Sequence, residues 1–242
     1  MKYLTAIIFS IAIVLAAYFL GSAYVKRAQP AGSIHVTGSG SENFTSDLIV
    51  WEGTFSRFDI DLQKAYEGLN ADKAIVNAYL VEKGIDAGHI IFNSVQTQER
   101  QENQYQNGNY TGSIFKGYDL TQNVKIESNN VELVENVSRE ITELLNKGVQ
   151  FNSIPPRYYY TKLADLKIEM ISKATEDARL RAEKIATNSG GDLGELKSAE
   201  MGVFQIIGQN SGEDYTWGGA FNTKDKKKTA SITMRLTYSV ED

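Results

Sequence analysis

The sequence predicts an α+β fold preceded by an apolar helix, and three observations carry that expectation. Between Asp47 and Tyr160 the apolar residues switch between period two and helical period, in the order strand, helix, strand, strand, helix, strand. From Thr229 to Val240 apolar and polar residues alternate without a break, the pattern of a strand with one wet face. From Tyr3 to Val25 there is no charge. At 242 residues, with 42% hydrophobic and 23% charged content, the chain can bury a sizeable core.

The leader reads first. Lys2 is followed by "YLTAIIFSIAIVLAAYFLGSAYV", and charge returns only at Lys26 and Arg27. A membrane span needs about 20 apolar residues, whereas the core of a signal peptide runs to about 7–15. Residues 1–27 therefore read as an uncleaved signal-anchor. Gly21 and Ala23, small residues two apart, keep a cleaved signal peptide as the alternative. Positive charge flanks both ends, so charge does not set the orientation. The size of the polar remainder favours export of the body.

After the linker "AQPAGS", Ile34 and Val36 alternate with His35 and Thr37 as a short strand. "DLIVWEGTFSR" (47–57) is a second strand, rich in β-branched and aromatic residues. Asp61 to Lys83 reads as a helix, broken near Gly68–Asn70. Its apolar face is Leu62, Ala65, Tyr66 and Leu69, then Val76, Tyr79 and Leu80, and Gly84 ends it. Ile90 to Arg100 is a strand, "QENQYQNGNYTGS" a polar loop, and Ile114 to Ile126 the returning strand. A second helix follows, N-capped by Asn129 with Glu132 three residues on, buried along Val134, Val137, Ile141 and Leu144, and stopped by Gly148. Val149 to Tyr160 is extended, since Pro155 and Pro156 forbid helix there. That order is the split βαβ of ferredoxin-like folds, an antiparallel sheet with two helices on one face, here over residues 46–161.

Lys162 to Ser189 is the strongest helix. Leu163, Leu166, Met170, Ala174, Ala178 and Ile185 trace its stripe, which Ala182 and Ala186 widen. Leu193 to Ile207 is extended, and the alternating strand closes the chain. One helix and two strands do not close a core, and the strand around Ile34–Thr37 is the obvious third. Residues 33–45 with 162–242 therefore read as a second, discontinuous α/β subdomain.

The segments "IHVTGSGSENFTSDLIVW", "KGIDAGHIIFNSVQ", "GYDLTQNVKIESNNVELVENV" and "ATEDARLRAEKIATNSGGDLGEL" stand in that order over roughly Ser33 to Val240. Together they resemble the SIMPL-domain family. Leu193 and Gly194 occupy the place of the family's Leu-Gly pair after its alanine-rich charged helix. The resemblance implies an exported bacterial envelope protein with an α+β body, homo-oligomers and a loose link to envelope or oxidative stress protection. With the leader, it implies an inner-membrane anchor and a periplasmic body, or, if the leader is cleaved, a soluble periplasmic protein. It carries over no catalytic residues. "NSIPPRYYYTK" and "GQNSGEDYTWGGAFNTKDKKK" depart from the family's usual pattern.

Several chemistries are set aside. The net charge of −5 argues against a nucleic-acid partner, which needs a basic footprint. The absence of cysteine excludes catalytic thiols, thiolate metal sites and disulfides. Gly38 and Gly40 open like a phosphate loop, but no lysine or helix N-terminus follows to hold the anion. The pair reads instead as a turn, bulge or close backbone approach, and "IHVTGSGS" as the opening strand and turn of the body. His35 and His89 are the only histidines and form no metal motif, so both read as structural. Glu176, Asp177, Arg179, Arg181, Glu183 and Lys184, opposite the alanine stripe, read as a solvated helix face. No catalytic, cofactor-binding or metal-ligating residue is expected.

The candidate site is a loop. Tyr215, Trp217 and Phe221 lie in a glycine-rich connection, and such aromatics anchor partners at interfaces. Lys224, Lys226, Lys227 and Lys228 follow and read as solubilising guards of the last strand's edge. The expected function is non-enzymatic, through self-assembly or protein contact, with a membrane reached through the N-terminal helix. The alternative is a small-ligand-binding protein or hydrolase with a site between the subdomains. A cell-wall glycan-binding loop at Tyr215–Phe221 is a third reading.

Overall fold

The computed structural model describes residues 2–28, 32–212 and 216–241. In chain order the elements are helix α1 (Lys2–Ala28), strands β1 (Ser33–Thr45) and β2 (Leu48–Asp59), helix α2 (Leu62–Glu82), strands β3 (Ile90–Phe92), β4 (Gln96–Gln106) and β5 (Asn109–Ser128), helix α3 (Val131–Glu140), strands β6 (Phe151–Ser153) and β7 (Arg157–Tyr159), helix α4 (Leu163–Asn188), and strands β8 (Asp192–Met201), β9 (Gln205–Gly208) and β10 (Lys227–Glu241). The fold is mixed α+β with an N-terminal helix. It divides into two compact units, one of Met1–Gly40, Ile171–Gly202 and Ile232–Asp242, the other of Ser41–Met170 and Val203–Ser231. The segment Val203–Ser231, expected with the C-terminal helix and last strand, is thus grouped with the sheet of β2 and β5.

In the second unit a six-stranded antiparallel sheet runs β3-β5-β2-β6, with β4 also on β5 and β7 also on β2. Trp51 lies opposite Ile126 and Gly53 opposite Val124. Because side chains alternate faces, Ile49, Trp51 and Phe55 of β2 share one face with Leu120, Val124 and Ile126 of β5, and all six are buried. Leu69, Val76 and Leu80 of α2 and Val134 and Val137 of α3 complete this core. Trp51 satisfies its indole by donating from Nε1 to Ser153 Oγ at 3.0 Å.

Three local expectations change here. Helix α2 is unbroken through Gly68–Asn70, and Asp61 caps it by accepting from the amides of Gln63 and Lys64. Leu62 and Tyr66, expected on its buried face, are exposed, and the buried stripe runs through Asp72 instead. The cap of α3 is Asn130, whose Oδ1 accepts from the Leu133 amide at 3.2 Å, while Asn129 donates from Nδ2 to the Asp47 carbonyl. From Ile141 to Lys147 the backbone tightens into a 3-10 segment.

The expected polar loop at 101–113 is strand almost throughout. β4 and β5 pair down to Gln106 and Asn109, joined by the two-residue turn Asn107–Gly108. Both turn residues have positive φ, 52° and 82°, as the tight hairpin turn that matches strand twist requires. All of β4 is exposed.

In the first unit β10 lies between β1 and β8. The expected pairing of the Ile34–Thr37 segment with a strand from the last third of the chain is present. The Val240 amide donates to the Gly32 carbonyl at 2.9 Å, and His35 Nδ1 lies 2.9 Å from Thr237 Oγ1. Of the readings of the glycine pair, the turn is absent, because β1 continues through Gly38 and Gly40 to Thr45, and the close backbone approach is present at Gly38. Gly38 faces α4, where a Cβ would fall 2.2 Å from the Ala174 carbonyl oxygen and 2.4 Å from the Ala178 amide nitrogen. Ala174, Ala178, Ala182 and Ala186 are buried, so the alanines carry the stripe, and Ile185 is exposed. Small residues on both elements bring helix and strand close enough for a backbone-to-side-chain bond. The Ser39 amide donates to Asp177 Oδ2 at 2.8 Å. Asp177 therefore does not belong to a merely solvated face. That amide, and next the Arg181 guanidinium, hold its carboxyl below the usual range.

Helix α1 is present as expected, with Phe9, Ile13, Val14, Phe19 and Leu20 exposed. Among the described residues no helix is long and apolar enough to cross a membrane.

Candidate functional site

The aromatic loop is built from β9 outward, within the second unit. Gln205, at the start of β9, is buried, and burying an amide is costly unless its hydrogen bonds are made. Its Nε2 donates to the Thr216 carbonyl at 2.7 Å, and its Oε1 accepts from the Ala220 amide at 2.6 Å. One side chain therefore holds both feet of the segment 216–220. The Ile206 amide donates to the Ala220 carbonyl, and the Asn222 amide donates back to the Ile206 carbonyl. Between the feet, the Gly219 amide closes a turn onto the Thr216 carbonyl at 3.1 Å. Gly219 has φ of 91°, and a Cβ there would lie 2.9 Å from the Phe204 carbonyl oxygen, so both conformation and space call for glycine.

Of the three residues singled out in the sequence, Trp217 sits at the tip of this turn and is 100% exposed. Phe221 makes a bridge with Ile206 at the foot of the loop and is half-exposed. Tyr215 lies outside the described residues. The structure therefore separates a fully displayed indole from a half-exposed ring at the foot of the loop.

The lysines that follow do not act as one group. Lys224 and Lys227 are exposed. Lys226 reaches Glu135 Oε2 at 3.3 Å and Glu132 Oε1 at 3.7 Å. Lys228, expected as a solvated guard, is 2% exposed and donates from Nζ to the Tyr158 carbonyl at 2.6 Å. Loss of water pushes its ammonium down to about 8, against the partial support of Asp225. Burial, and next Glu135, raise the Tyr158 phenol in the same neighbourhood. The even-numbered face of β10 is the buried one, and alternation alone places Lys228 on it. That signal was in the sequence.

A polar groove of about 440 Å³ opens on the outer face of the β2–β5 sheet, lined by Thr54, Asn93, Ser94, Gln96, Thr121 and Asn123. His35 Nε2 lies 3.2 Å from Ser33 Oγ and its Nδ1 meets Thr237, so this histidine is tied into the β1–β10 sheet. His89 is exposed in a short 3-10 segment. Among the described residues no group of three or more His, Asp or Glu is placed to hold a metal ion.

The family model for SIMPL, described as a protein of unknown function (DUF541), matches residues 34–240. The chain belongs to the SIMPL family. The SIMPL match begins at the first buried residue of β1 and ends at Val240 of β10, so it takes in residues of both compact units. The Trp217 turn and the Lys228 environment lie inside the SIMPL body, and helix α1 precedes it. No curated protein matches the chain.

Proposed function

We propose that this SIMPL protein is a non-enzymatic protein of the bacterial cell envelope that works through protein contact, with Trp217 as its displayed anchor. The observation that carries this is the fully exposed indole on a turn whose feet are held by the buried amide of Gln205. Exposing a large apolar ring has no stabilising role within the chain, whereas building a fixed turn beneath it limits the ordering cost of binding. Tryptophan is also among the residues that dominate interface energies.

The uncharged run Tyr3–Val25 supports anchoring at a membrane with the body exported to the periplasm. The exposed apolar side chains of α1 fit an apolar surrounding. The strand order β3-β5-β2-β6, with α2 and α3 on its core face, supports a ferredoxin-like βαββαβ subdomain as the rigid base of the loop. Envelope or oxidative stress protection is the setting that the family likeness suggests.

The test is capture from intact envelopes with a short crosslinker. The wild-type chain is expected to give a defined adduct that Trp217→Ala loses and Lys224→Ala keeps. An adduct unchanged in Trp217→Ala overturns the assignment of the anchor.

A further inference from the structure

The hairpin of β4 and β5 ends in an open edge. β4 is paired on one side by β5 and, among the described residues, by no strand on the other. All eleven of its residues are exposed. Along such a strand every second residue turns its N–H and C=O outward, which makes a ready template for another strand. Proteins usually blunt long edges with proline, bulges or charged side chains, lysine above all. The sequence "QTQERQENQYQ" contains no proline or lysine, and its three charges, Glu99, Arg100 and Glu102, are of both signs, so they repel a second strand in some registers and pair with it in others. The two bulges in the hairpin place their extra residues on β5, so β4 keeps its regular alternation.

We infer that this edge pairs with the same edge of a second copy of this chain, antiparallel and centred on Gln101. The charges select both the partner and the register. On one face of the hairpin Arg100 donates to Asp119 at 2.6 and 2.7 Å, and Lys116 reaches Glu102 at 2.5 Å. A two-fold axis through Gln101 sets Arg100 opposite the partner's Glu102, and Glu102 opposite the partner's Arg100. The face then carries an alternating row, Asp119, Arg100, the partner's Glu102, the partner's Lys116. On the other face Glu99 meets Asn103 of the partner subunit, and Thr97 meets the partner's Tyr105, a favourable aromatic and β-branched pair. Centring instead on Glu99, Arg100 or Glu102 sets like charges directly opposite, which is destabilising. This inference rests on the reading that the protein works by contact, and names a second copy as one partner.

The full-length chain in mild detergent provides the test, because it contains no cysteine. Gln101→Cys is expected to form a disulfide-linked dimer on oxidation, since the two residues face each other across the axis, and Thr97→Cys is not. Arg100→Glu and Glu102→Arg are each expected to weaken the dimer at least about tenfold, because each sets two like-charge contacts in the interface. Mixed together they are expected to restore it, since each then meets its opposite. Two outcomes overturn the edge pairing: a mixture that stays monomeric while both variants melt like wild type, or a wild-type dimer by light scattering whose Gln101→Cys form does not crosslink. A wild-type chain that is monomeric at every concentration yet still gives the Trp217-dependent adduct overturns the pairing and leaves the contact reading standing.

Discussion

Arg57 of β2 closes over the carboxylate of Asp72 in α2, with Nε 2.5 Å from Oδ2 and Nη2 2.6 Å from Oδ1. Asp72 is 1% exposed, whereas the Arg57 side chain is 43% exposed. One partner is committed to the core and the other reaches water. The pair ties helix to sheet at the point where the buried stripe of α2 would otherwise carry an orphan charge.

The two halves of that pair should therefore fail differently. Arg57→Met leaves a buried carboxylate unpaired and is expected to cost about 3–5 kcal/mol at neutral pH. Asp72→Leu frees only a guanidinium that water can reach, and should cost less. Urea unfolding at pH 7 checks both, and a larger loss for Asp72→Leu contradicts the assignment.

Gly38 and its two alanines predict a steric effect. Gly38→Ala should destabilise the protein by about 1–3 kcal/mol, because the added methyl meets helix backbone rather than a flexible side chain. Gly212→Ala, with nothing within 4 Å of its Cβ position, is the control and should melt with the wild type.

The Gln205 anchor separates stability from recognition. Gln205→Leu removes the bonds to both feet of the loop and should cost about 1–3 kcal/mol. It should also open residues 209–221 to limited proteolysis. Trp217→Ala should stay within about 0.5 kcal/mol of wild type, as expected for a fully exposed position. Equal losses in the two variants would mean that the indole is structural.

Lys228 predicts a pH dependence with a defined sign. Its folded value, about 8, lies below the ordinary 10.5. Between those values the unfolded chain binds the proton and the folded chain does not, so stability rises with pH across the window. The contribution is complete above about 10.5 and lost as pH falls through about 8, with a full amplitude of about 3 kcal/mol. Relative to Lys228→Met, the wild type should gain stability from pH 8 to 10.5. Parallel curves would show that the ammonium is solvated in the fold.

Much of this architecture is legible in the amino-acid pattern, and the gaps have physical causes. The apolar alternation of Ala230 to Tyr238 and the Ile34–Thr37 segment predict each other as sheet neighbours, because each has one apolar face to bury. The outer half of the hairpin is invisible to the same reasoning, since both faces of β4 are wet and carry Gln, Glu and Asn in place of an apolar period. Its one local sign is the Asn107–Gly108 pair. The shift of the cap from Asn129 to Asn130 reflects tertiary competition, the Asp47 carbonyl taking the Asn129 amide. Trp217 stood out in the sequence, whereas Gln205, which builds its turn, did not. A lone glutamine becomes a structural anchor only once two backbone segments are brought to it.

The 2.9 Å bond from Val240 to Gly32 also orders events in time. A ribosome makes β1 long before its neighbour β10. Only non-local contacts close that sheet, and contacts of such sequence separation form slowly. The sheet around β2 and β5 can assemble before β10 is made, but β1 must wait for β10 to pair. A nascent chain of this kind therefore carries β1 as an open strand until β10 has left the ribosome.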